Sequence, residues 1–213
     1  MTRYGMVIDL KQCVGCTGCT VSCKAEHSLP PGMLWARVLF KESGEYPAVQ
    51  RSILPVLCNH CRDAACVKVC PTGATEKRED GLVTIDYSKC MGCRYCMMAC
   101  PYGARHFNDK LRYFFPGQGP TPYEEIGYRE QQVGVVMKCN FCQERIDKAA
   151  GNGQRPGVDR DATPACVNNC IGKARFFGDL DDPNSEVSQL IRVRNGLQLH
   201  QELGTDPSVY YLY

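Results

Sequence analysis

Short apolar runs alternate with polar turns along this chain, and the pattern predicts several short strands rather than long helices. Residues 4–9 form the first apolar run and lead directly into a cysteine-rich loop. Pro55 weakens one of the later runs, because proline cannot donate a hydrogen bond to the ladder of a sheet. The later strands are predicted for residues 34–40, 49–57, 82–86 and 174–180.

Two stretches have the composition and spacing of short helices. One covers residues 143–150, and the other opens at Asp182-Pro183 and ends at Asn195-Gly196. The second helix has one apolar face, formed by Val187, Leu190 and Ile191. No apolar run reaches the roughly 18 residues that a membrane-spanning helix needs, so the sequence predicts no membrane span.

Two further segments lie outside these elements. Residues 108–134 are rich in glycine, proline and aromatic residues and have no clear hydrophobic period, so we interpret them as a connecting insertion that forms a loop. This insertion is expected to pack on the protein surface or on a partner, or to be an irregular connection. The apolar and aromatic tail, residues 208–213, is expected to dock on its own domain, with another subunit as the alternative.

Composition adds one unusual feature, the cysteine content. The chain has 213 residues and 16 cysteines, a density close to that of a scaffold organised by cysteine rather than by a large apolar core. The length allows one domain or two small ones. The formal net charge of +2, without a basic run or stripe, argues against a nucleic-acid partner.

The cysteines fall into four runs of four. Residues 90–101 read C-x2-C-x2-C-x3-C-P, the motif in which three cysteines bind one iron–sulfur cluster and the fourth binds a second one. The second run has two extra residues before its third cysteine, and 23 residues split the fourth run. The runs are Cys13, Cys16, Cys19 and Cys23; Cys58, Cys61, Cys66 and Cys70; Cys90, Cys93, Cys96 and Cys100; and Cys139, Cys142, Cys166 and Cys170.

The sequence flanking the runs repeats as well. Ile8-Asp9 stands four residues before the first run, and Ile85-Asp86 stands at the same distance before the third. The segments that follow Cys70, Cys100 and Cys170 also share one outline. The repetition indicates a reused unit of strand, cysteine loop, short helical turn and return strand.

The spacing favours [4Fe-4S] clusters over zinc or disulfides. The 16 cysteines could in number form eight disulfide bridges, but their close spacing within each run fits a compact metal cluster better. Zinc uses two close pairs and has no need of a third cysteine at the same spacing. Gly15, Gly18 and Gly92 would let backbone amides approach the cluster sulfurs.

The sequence contains no pattern of a catalytic site. It has no Ser-His-Asp constellation, no phosphate-binding glycine loop and no flavin or nicotinamide fingerprint. His60 lies between two cysteines and is expected to donate a hydrogen bond rather than to bind metal. These features indicate an electron carrier that transforms no substrate.

With its four cysteine runs in this order, the chain resembles a known family, the iron–sulfur electron-transfer subunits of complex iron–sulfur molybdoenzymes. These are the four-cluster subunits of dimethyl sulfoxide, polysulfide, thiosulfate and arsenate reductases. The resemblance covers the segment from Met6-Val7-Ile8-Asp9 through the four cysteine runs to residues 177–183. It implies an α+β fold of two ferredoxin-like units with short strands, short helices and long inserted loops.

The resemblance also implies which cysteines share a cluster. It pairs the first run with the fourth and the second with the third, and it implies four [4Fe-4S] clusters because no cysteine of the third run is replaced. The sets are Cys13, Cys16, Cys19 and Cys170 (site 1); Cys58, Cys61, Cys66 and Cys100 (site 2); Cys90, Cys93, Cys96 and Cys70 (site 3); and Cys139, Cys142, Cys166 and Cys23 (site 4).

The implied units follow from this pairing. Residues 1–57 with 135–180 would form the first ferredoxin-like unit and residues 58–107 the second. Residues 108–134 would connect them, and residues 181–213 would form a C-terminal helix and docking tail.

Four bound clusters would change the charge of the protein. Each [4Fe-4S] core with four thiolates carries about −2, so the loaded protein would have a net charge of about −6. Basic residues near the cysteines would offset part of this charge. The alternative for each of them is that it is an ordinary solvated residue of the surface. They are Lys11, Lys24, Lys68, Lys89, Arg94, Lys138, Arg145 and Lys173.

The resemblance implies a relay of single electrons between partners. These would be a large molybdenum- or tungsten-pterin catalytic subunit and a quinone-reactive membrane subunit or soluble carrier. The N-terminus has no signal-peptide core and no twin arginine. We therefore expect export with the catalytic subunit to the periplasmic side of the membrane, or else a cytoplasmic complex. The alternative functions are a freestanding polyferredoxin or hydrogenase-linked carrier, and a zinc-binding structural module.

Overall fold

A computed structural model describes residues 2–213, and it combines short helices with small sheets. This agrees with the mixed α+β class. The strands are β1 (Tyr4–Asp9), β2 (Arg37–Ser43), β3 (Gln50–Val56), β4 (Thr75–Lys77), β5 (Val83–Ile85), β6 (Arg105–Asn108), β7 (Val135–Lys138), β8 (Arg175–Asp179), β9 (Leu197–Gln198) and β10 (Val209–Leu212). The helices are α1 (Gly18–Glu26), α2 (Ala65–Lys68), α3 (Tyr95–Met98), α4 (Pro122–Gly127), α5 (Gln143–Gly151), α6 (Ala165–Asn168) and α7 (Glu186–Val193).

Strand pairing links one cysteine run to the next. The strand that leaves a run pairs antiparallel with the strand that leads into the following run: β4 with β5, and β6 with β7. After the fourth run, β8 returns to β1, which leads into the first run. The pairing therefore brings the last run beside the first, although more than a hundred residues separate them.

The tail completes the largest sheet, whose strand order is β8-β1-β10-β9. β10 lies parallel to β1, with Val209 opposite Met6, and the hydroxyl of Tyr211 donates to the carbonyl of Pro55 over 2.9 Å. Met6, Val209 and Tyr211 belong to one core that also includes several cysteines. The prediction that the tail docks on its own domain is confirmed.

The β2–β3 hairpin shows how a strand accommodates Pro55. The proline lies opposite Val38 in a sheet of two strands. Both strands of such a sheet are edges, so a missing N–H can face away from the ladder at no cost. Strand β2 begins at Arg37, three residues later than predicted.

Both predicted helices are confirmed, as α5 and α7. Helix α7 begins after Ser185, whose hydroxyl accepts the backbone N–H of Ser188 over 3.2 Å. Serine is a favoured N-cap because its oxygen pairs an otherwise unsatisfied amide of the first turn. The Asp182-Pro183 turn lies just upstream of this cap.

The insertion is more regular than predicted, and its interpretation as a loop was wrong for α4. A capping box starts this helix: the Thr121 hydroxyl accepts the Glu124 N–H, and the Glu124 carboxylate accepts the Thr121 N–H. The Thr-Pro-Tyr-Glu sequence carries this signal. The hydroxyl of Tyr123 donates to the carbonyl of Ala25, so the insertion packs on the surface of its own chain.

Candidate metal centres

The same backbone turn recurs in all four cysteine loops. The residue before the second cysteine of each run has a positive φ: 70° at Gly15, 43° at His60, 72° at Gly92 and 57° at Phe141. A left-handed residue inside a turn directs successive N–H groups to one side and creates a concavity that binds anions. Glycine, which adopts a positive φ readily, occupies this position in two of the runs. In the other two runs the position is held by His60 and Phe141, whose rings stack on each other with centroids 3.8 Å apart.

A short helix then positions the third cysteine of each run. Cys19, Cys66, Cys96 and Cys166 are each the second residue of a helix, in α1, α2, α3 and α6. The fourth cysteine follows two residues after the helix in the last three runs, whereas Cys23 lies within α1. The four runs thus reuse one local geometry, with one longer helix.

Three separate cavities are lined by the cysteines of three implied sites. Each cavity takes three thiols from one run and the fourth from another. Cys170 joins the first run, Cys100 joins the second and Cys70 joins the third. The cavity cysteines are Cys13, Cys16, Cys19 and Cys170; Cys58, Cys61, Cys66 and Cys100; and Cys70, Cys90, Cys93 and Cys96.

The four cysteines of site 4 lie together in the interior. Burial raises the pKa of Cys23, and the next largest effects come from the charges of Cys139, Cys166 and Cys142. All four residues are buried. Nε2 of His27 lies 3.4 Å from the sulfur of Cys142.

All 16 cysteines are free thiols. Cys16 of site 1 and Cys93 of site 3 are exposed, whereas site 4 is enclosed. Sites 1 and 3 therefore reach the surface of the chain, and site 4 does not.

Within residues 2–213, no three His, Cys, Asp or Glu side chains form a group that could hold a single metal ion. A cubane cluster makes a different demand from a single ion. Each of its four irons binds one thiolate, so the ligands surround a void instead of one point. The three cysteine-lined cavities have this arrangement.

The charges around the thiols fit an anionic metal cluster. Burial raises the pKa of Cys139 to about 12 and that of Cys61 to about 12, so these thiols need a strong cation beside them to bind as thiolates. Two buried arginines, Arg105 and Arg175, each keep one Nη2 atom without a hydrogen-bond partner. Such unpaired guanidinium nitrogens suit a group that carries negative charge.

Backbone amides also approach the sulfurs. The N–H of Thr75 donates to Cys70 over 3.4 Å, and the N–H of Ala174 donates to Cys170 over 3.3 Å. Hydrogen bonds of this kind are among the levers on the potential of an iron–sulfur cluster. The residues present therefore fit [4Fe-4S] clusters.

His60 has the structural role predicted for it. Its Nδ1 accepts the N–H of Val83 over 3.0 Å, so Nε2 carries the proton and donates to the carbonyl of Cys139 over 3.1 Å. Burial, and then the charge of Lys138, lower the pKa of His60 well below its usual value. The neutral imidazole joins the second cysteine run to the fourth.

A wider cavity lies beside these centres and contains no cysteine. Glu26, His27, Trp35 and Glu144 contribute to its wall. Two residues of its wall contact ligands of site 4: His27 contacts Cys142, and Lys138 donates to the carbonyl of Cys139. Because this cavity itself holds no thiol, we place the chemistry in the cysteine cavities, although this one has more space.

Sequence reasoning missed two of the three buried cations beside the thiols. Of the basic residues proposed to offset cluster charge, Lys138 alone is buried. Arg105 and Arg175 are buried as well, at the fifth position after Cys100 and Cys170. The repeated Gly-Ala-Arg and Lys-Ala-Arg endings of these runs were the available signal.

A first prediction concerns Gly92 in the site 3 loop. A Cβ atom there would lie 2.2 Å from the carbonyl oxygen of Gly134, whereas a Cβ atom at Gly73 would meet nothing within 4 Å. Both glycines have positive φ, so alanine at either position adds about 1–2 kcal/mol of backbone strain. Gly92→Ala should lower the free energy of unfolding by a further ~1–3 kcal/mol because of the clash.

Chemical denaturation of the loaded protein under anaerobic conditions measures this difference. Gly73→Ala is the matched control, since Gly73 stands in the turn after another cysteine of the same site. Equal destabilisation by the two variants would contradict the close approach of the 92 and 134 loops.

No helix within residues 2–213 has the length and apolar character needed to cross a membrane.

Comparison with known proteins identifies similar sequences. Residues 49–116 match the family model of the 4Fe-4S dicluster domain. A protein from Halobacterium salinarum named as a dimethyl sulfoxide reductase iron–sulfur subunit is 46% identical, covering 100% of this chain and 79% of the relative. A selenate reductase subunit from Mesobacillus selenatarsenatis is 42% identical over 99% of this chain and 72% of the relative. The arsenate respiratory reductase iron–sulfur subunit of Shewanella is 40% identical, covering 99% and 96%.

Proposed function

The chain belongs to the family of iron–sulfur electron-transfer subunits of complex iron–sulfur molybdoenzymes, and we propose that it carries four [4Fe-4S] clusters in a row. It is a non-catalytic electron-transfer subunit that binds [4Fe-4S] clusters and works with a catalytic subunit. Each cluster, when bound, accepts and releases one electron at a time.

The observation that carries the proposal is the crossed composition of the cysteine cavities. In each of the three cavities, one run supplies three thiols and another run supplies the fourth. This exchange supports the proposed ligand sets of sites 1, 2 and 3. The proximity of Cys23 to three thiols of the fourth run supports site 4.

The contacts between sites, together with the exchange of Cys70 and Cys100 between the second and third runs, support the order 1–4–2–3. Cys19 of site 1 and Cys166 of site 4 are close enough for their charges to interact. Cys139 of site 4 interacts in the same way with Cys58 of site 2, and the stacked His60 and Phe141 rings also join these two sites. In this order the two sites that contain an exposed cysteine, Cys16 of site 1 and Cys93 of site 3, are the two ends of the row.

Exposed apolar side chains surround both ends. Ile171, next to the site 1 ligand Cys170, is 80% exposed, and Met98, between two thiols of the third run, is 83% exposed. Exposed apolar residues that rim a functional site mark interaction surfaces. We propose that one end meets a molybdenum- or tungsten-pterin catalytic subunit, and the other a quinone-reactive membrane subunit or a soluble carrier.

The two-unit architecture belongs to the same proposal. Residues 1–57 with 135–180 would hold sites 1 and 4, and residues 58–107 would hold sites 2 and 3. The dicluster match over residues 49–116 supports the second unit. Residues 108–134 would connect the units and residues 181–213 would form the C-terminal helix and tail. Export with the catalytic subunit to the periplasmic side of the membrane remains the proposed localisation.

Metal analysis tests the cluster content. A chain purified under anaerobic conditions should contain about 16 iron and 16 acid-labile sulfide atoms, the content of four cubane clusters. About four iron atoms or fewer, with stoichiometric zinc, would contradict the proposal and favour a zinc module.

Co-purification tests the partner. The chain isolated from its native host should bring down a large subunit that contains molybdenum or tungsten and a pterin. If the isolated chain holds its clusters but no such subunit accompanies it, the electron-transfer role stands and a freestanding polyferredoxin is the better description.

A further inference from the structure

Three cations are buried in this protein without an acidic partner. Lys138 is 2% exposed, and Arg105 and Arg175 are each 4% exposed. Among residues 2–213, none of the three forms an ion pair with a carboxylate. A buried charge is costly unless an opposite charge lies near it, so the position of each cation indicates where negative charge is expected.

Arg175 lies between sites 1 and 4. It lines the cavity of site 1, and its Nη1 is 3.6 Å from the sulfur of Cys166, a site 4 ligand. Burial would lower the pKa of this guanidinium, but the thiolates of Cys166 and Cys19 raise it above its ordinary value. One cation thus faces ligands of two neighbouring sites.

Lys138 lies between sites 4 and 2. Its Nζ donates to the carbonyl of Cys139, a site 4 ligand, over 2.9 Å. It also donates to the carbonyl of Val83, and Val83 lines the cavity of site 2. Burial lowers the pKa of Lys138, and the nearby charge of Arg105 acts in the same direction, whereas the thiolates of Cys58 and Cys139 oppose this effect.

Arg105 lies between sites 2 and 3. It lines the cavity of site 2, and its Nη1 donates to the hydroxyl of Thr75 over 3.3 Å. Thr75 lines the cavity of site 3 and donates its own N–H to Cys70. The arrangement of Arg175 therefore recurs at another junction, from the equivalent position of another run.

We propose that Arg175, Lys138 and Arg105 are positioning residues, one at each junction of the row 1–4–2–3, that hold a positive charge between consecutive clusters. The inference rests on the proposed four-cluster function. Neighbouring clusters are both anionic, and an electron on one disfavours an electron on the next. A fixed cation between two clusters raises the potential of both, because it offsets the unfavourable effect that the negative charge of each cluster has on reduction of the other.

The pattern of shifts tests the proposal. Lys138→Met, Arg105→Met and Arg175→Met are made in the full chain, in complex with its catalytic subunit, and the midpoint potentials of the four clusters are measured by EPR redox titration. Each variant should make two potentials more negative. At a fixed ambient potential the reduced-to-oxidised ratio of each affected cluster should fall on the order of tenfold.

The variants should also overlap in a defined way. Lys138→Met should share one shifted cluster with Arg175→Met and the other with Arg105→Met, while the two arginine variants share none. Lys138→Arg, Arg105→Lys and Arg175→Lys keep the charge and should keep the potentials. Lys89→Met is the matched control, since Lys89 precedes Cys90 as Lys138 precedes Cys139, but it is exposed and paired with Asp86.

The outcomes separate the possible failures. Four intact clusters with unchanged potentials, or an equal shift of all four, would overturn the junction role. If a Met variant loses iron, the Gln variant at the same position is measured instead, because glutamine removes the charge but keeps a hydrogen-bond donor. Loss of iron from both the Met and the Gln variant would also overturn it and leave a purely structural role. Fewer than four reduction steps in the unmodified protein would instead refute the proposed function.

Discussion

A Cys100→Ser protein should lose the cluster held by Cys58, Cys61 and Cys66 and keep the cluster held by Cys90, Cys93 and Cys96. Cys100 stands in the third run by sequence, yet its side chain lines the cavity of the second run. The cavity of the third run contains Cys70 in its place. Serine is a poor replacement for a thiolate ligand, so the altered cluster should be converted or lost.

EPR of the reduced protein, combined with iron analysis, measures the effect. The signal of site 2 should disappear and the iron content should fall by one to four atoms, since a [4Fe-4S] cluster that lacks one ligand loses one iron or all of them. Cys70→Ser is the reciprocal variant and should affect site 3 alone. Loss of only the Cys90 cluster in the Cys100→Ser protein would refute the crossed ligation.

Features of the fold that depend on residues close in the sequence could be predicted, whereas those that depend on distant residues could not. Strand β1 and helices α5 and α7 follow from local patterns and lie where they were predicted. The cysteine motifs are also local, so the ligand candidates were visible from spacing alone. Helix α4 was equally local, but its capping box was overlooked among the glycine and proline residues around it.

Long-range features were not predictable from one sequence. The parallel pairing of β10 with β1 joins residues about 200 positions apart, and no pattern within either strand encodes a partner. Burial of Lys138, Arg105 and Arg175 depends on the packing of several runs against each other. A single sequence shows a lysine before a cysteine at both position 89 and position 138, and only the fold distinguishes the exposed one from the buried one.

Removal of iron should cost this protein its fixed tertiary structure. The core contains Cys19, Cys23, Cys58, Cys139 and Cys166 among its buried members, so the proposed clusters would occupy its centre. Without them, the three buried cations lose the negative charge that compensates them. An uncompensated buried charge costs about 3–5 kcal/mol, and typical domains are stable by only about 5–15 kcal/mol.

Near-UV circular dichroism and amide hydrogen exchange measure this loss during anaerobic chelation of iron. Protection should collapse in α1, which contains Cys19 and Cys23, and in β7, which ends at Lys138 beside Cys139. A chelator that binds zinc but leaves the clusters intact is the control and should change neither signal. Native protection in α1 and β7 after release of all the iron would contradict this prediction. It would show that the packing of the side chains stabilises the core even when the buried cations have no cluster beside them.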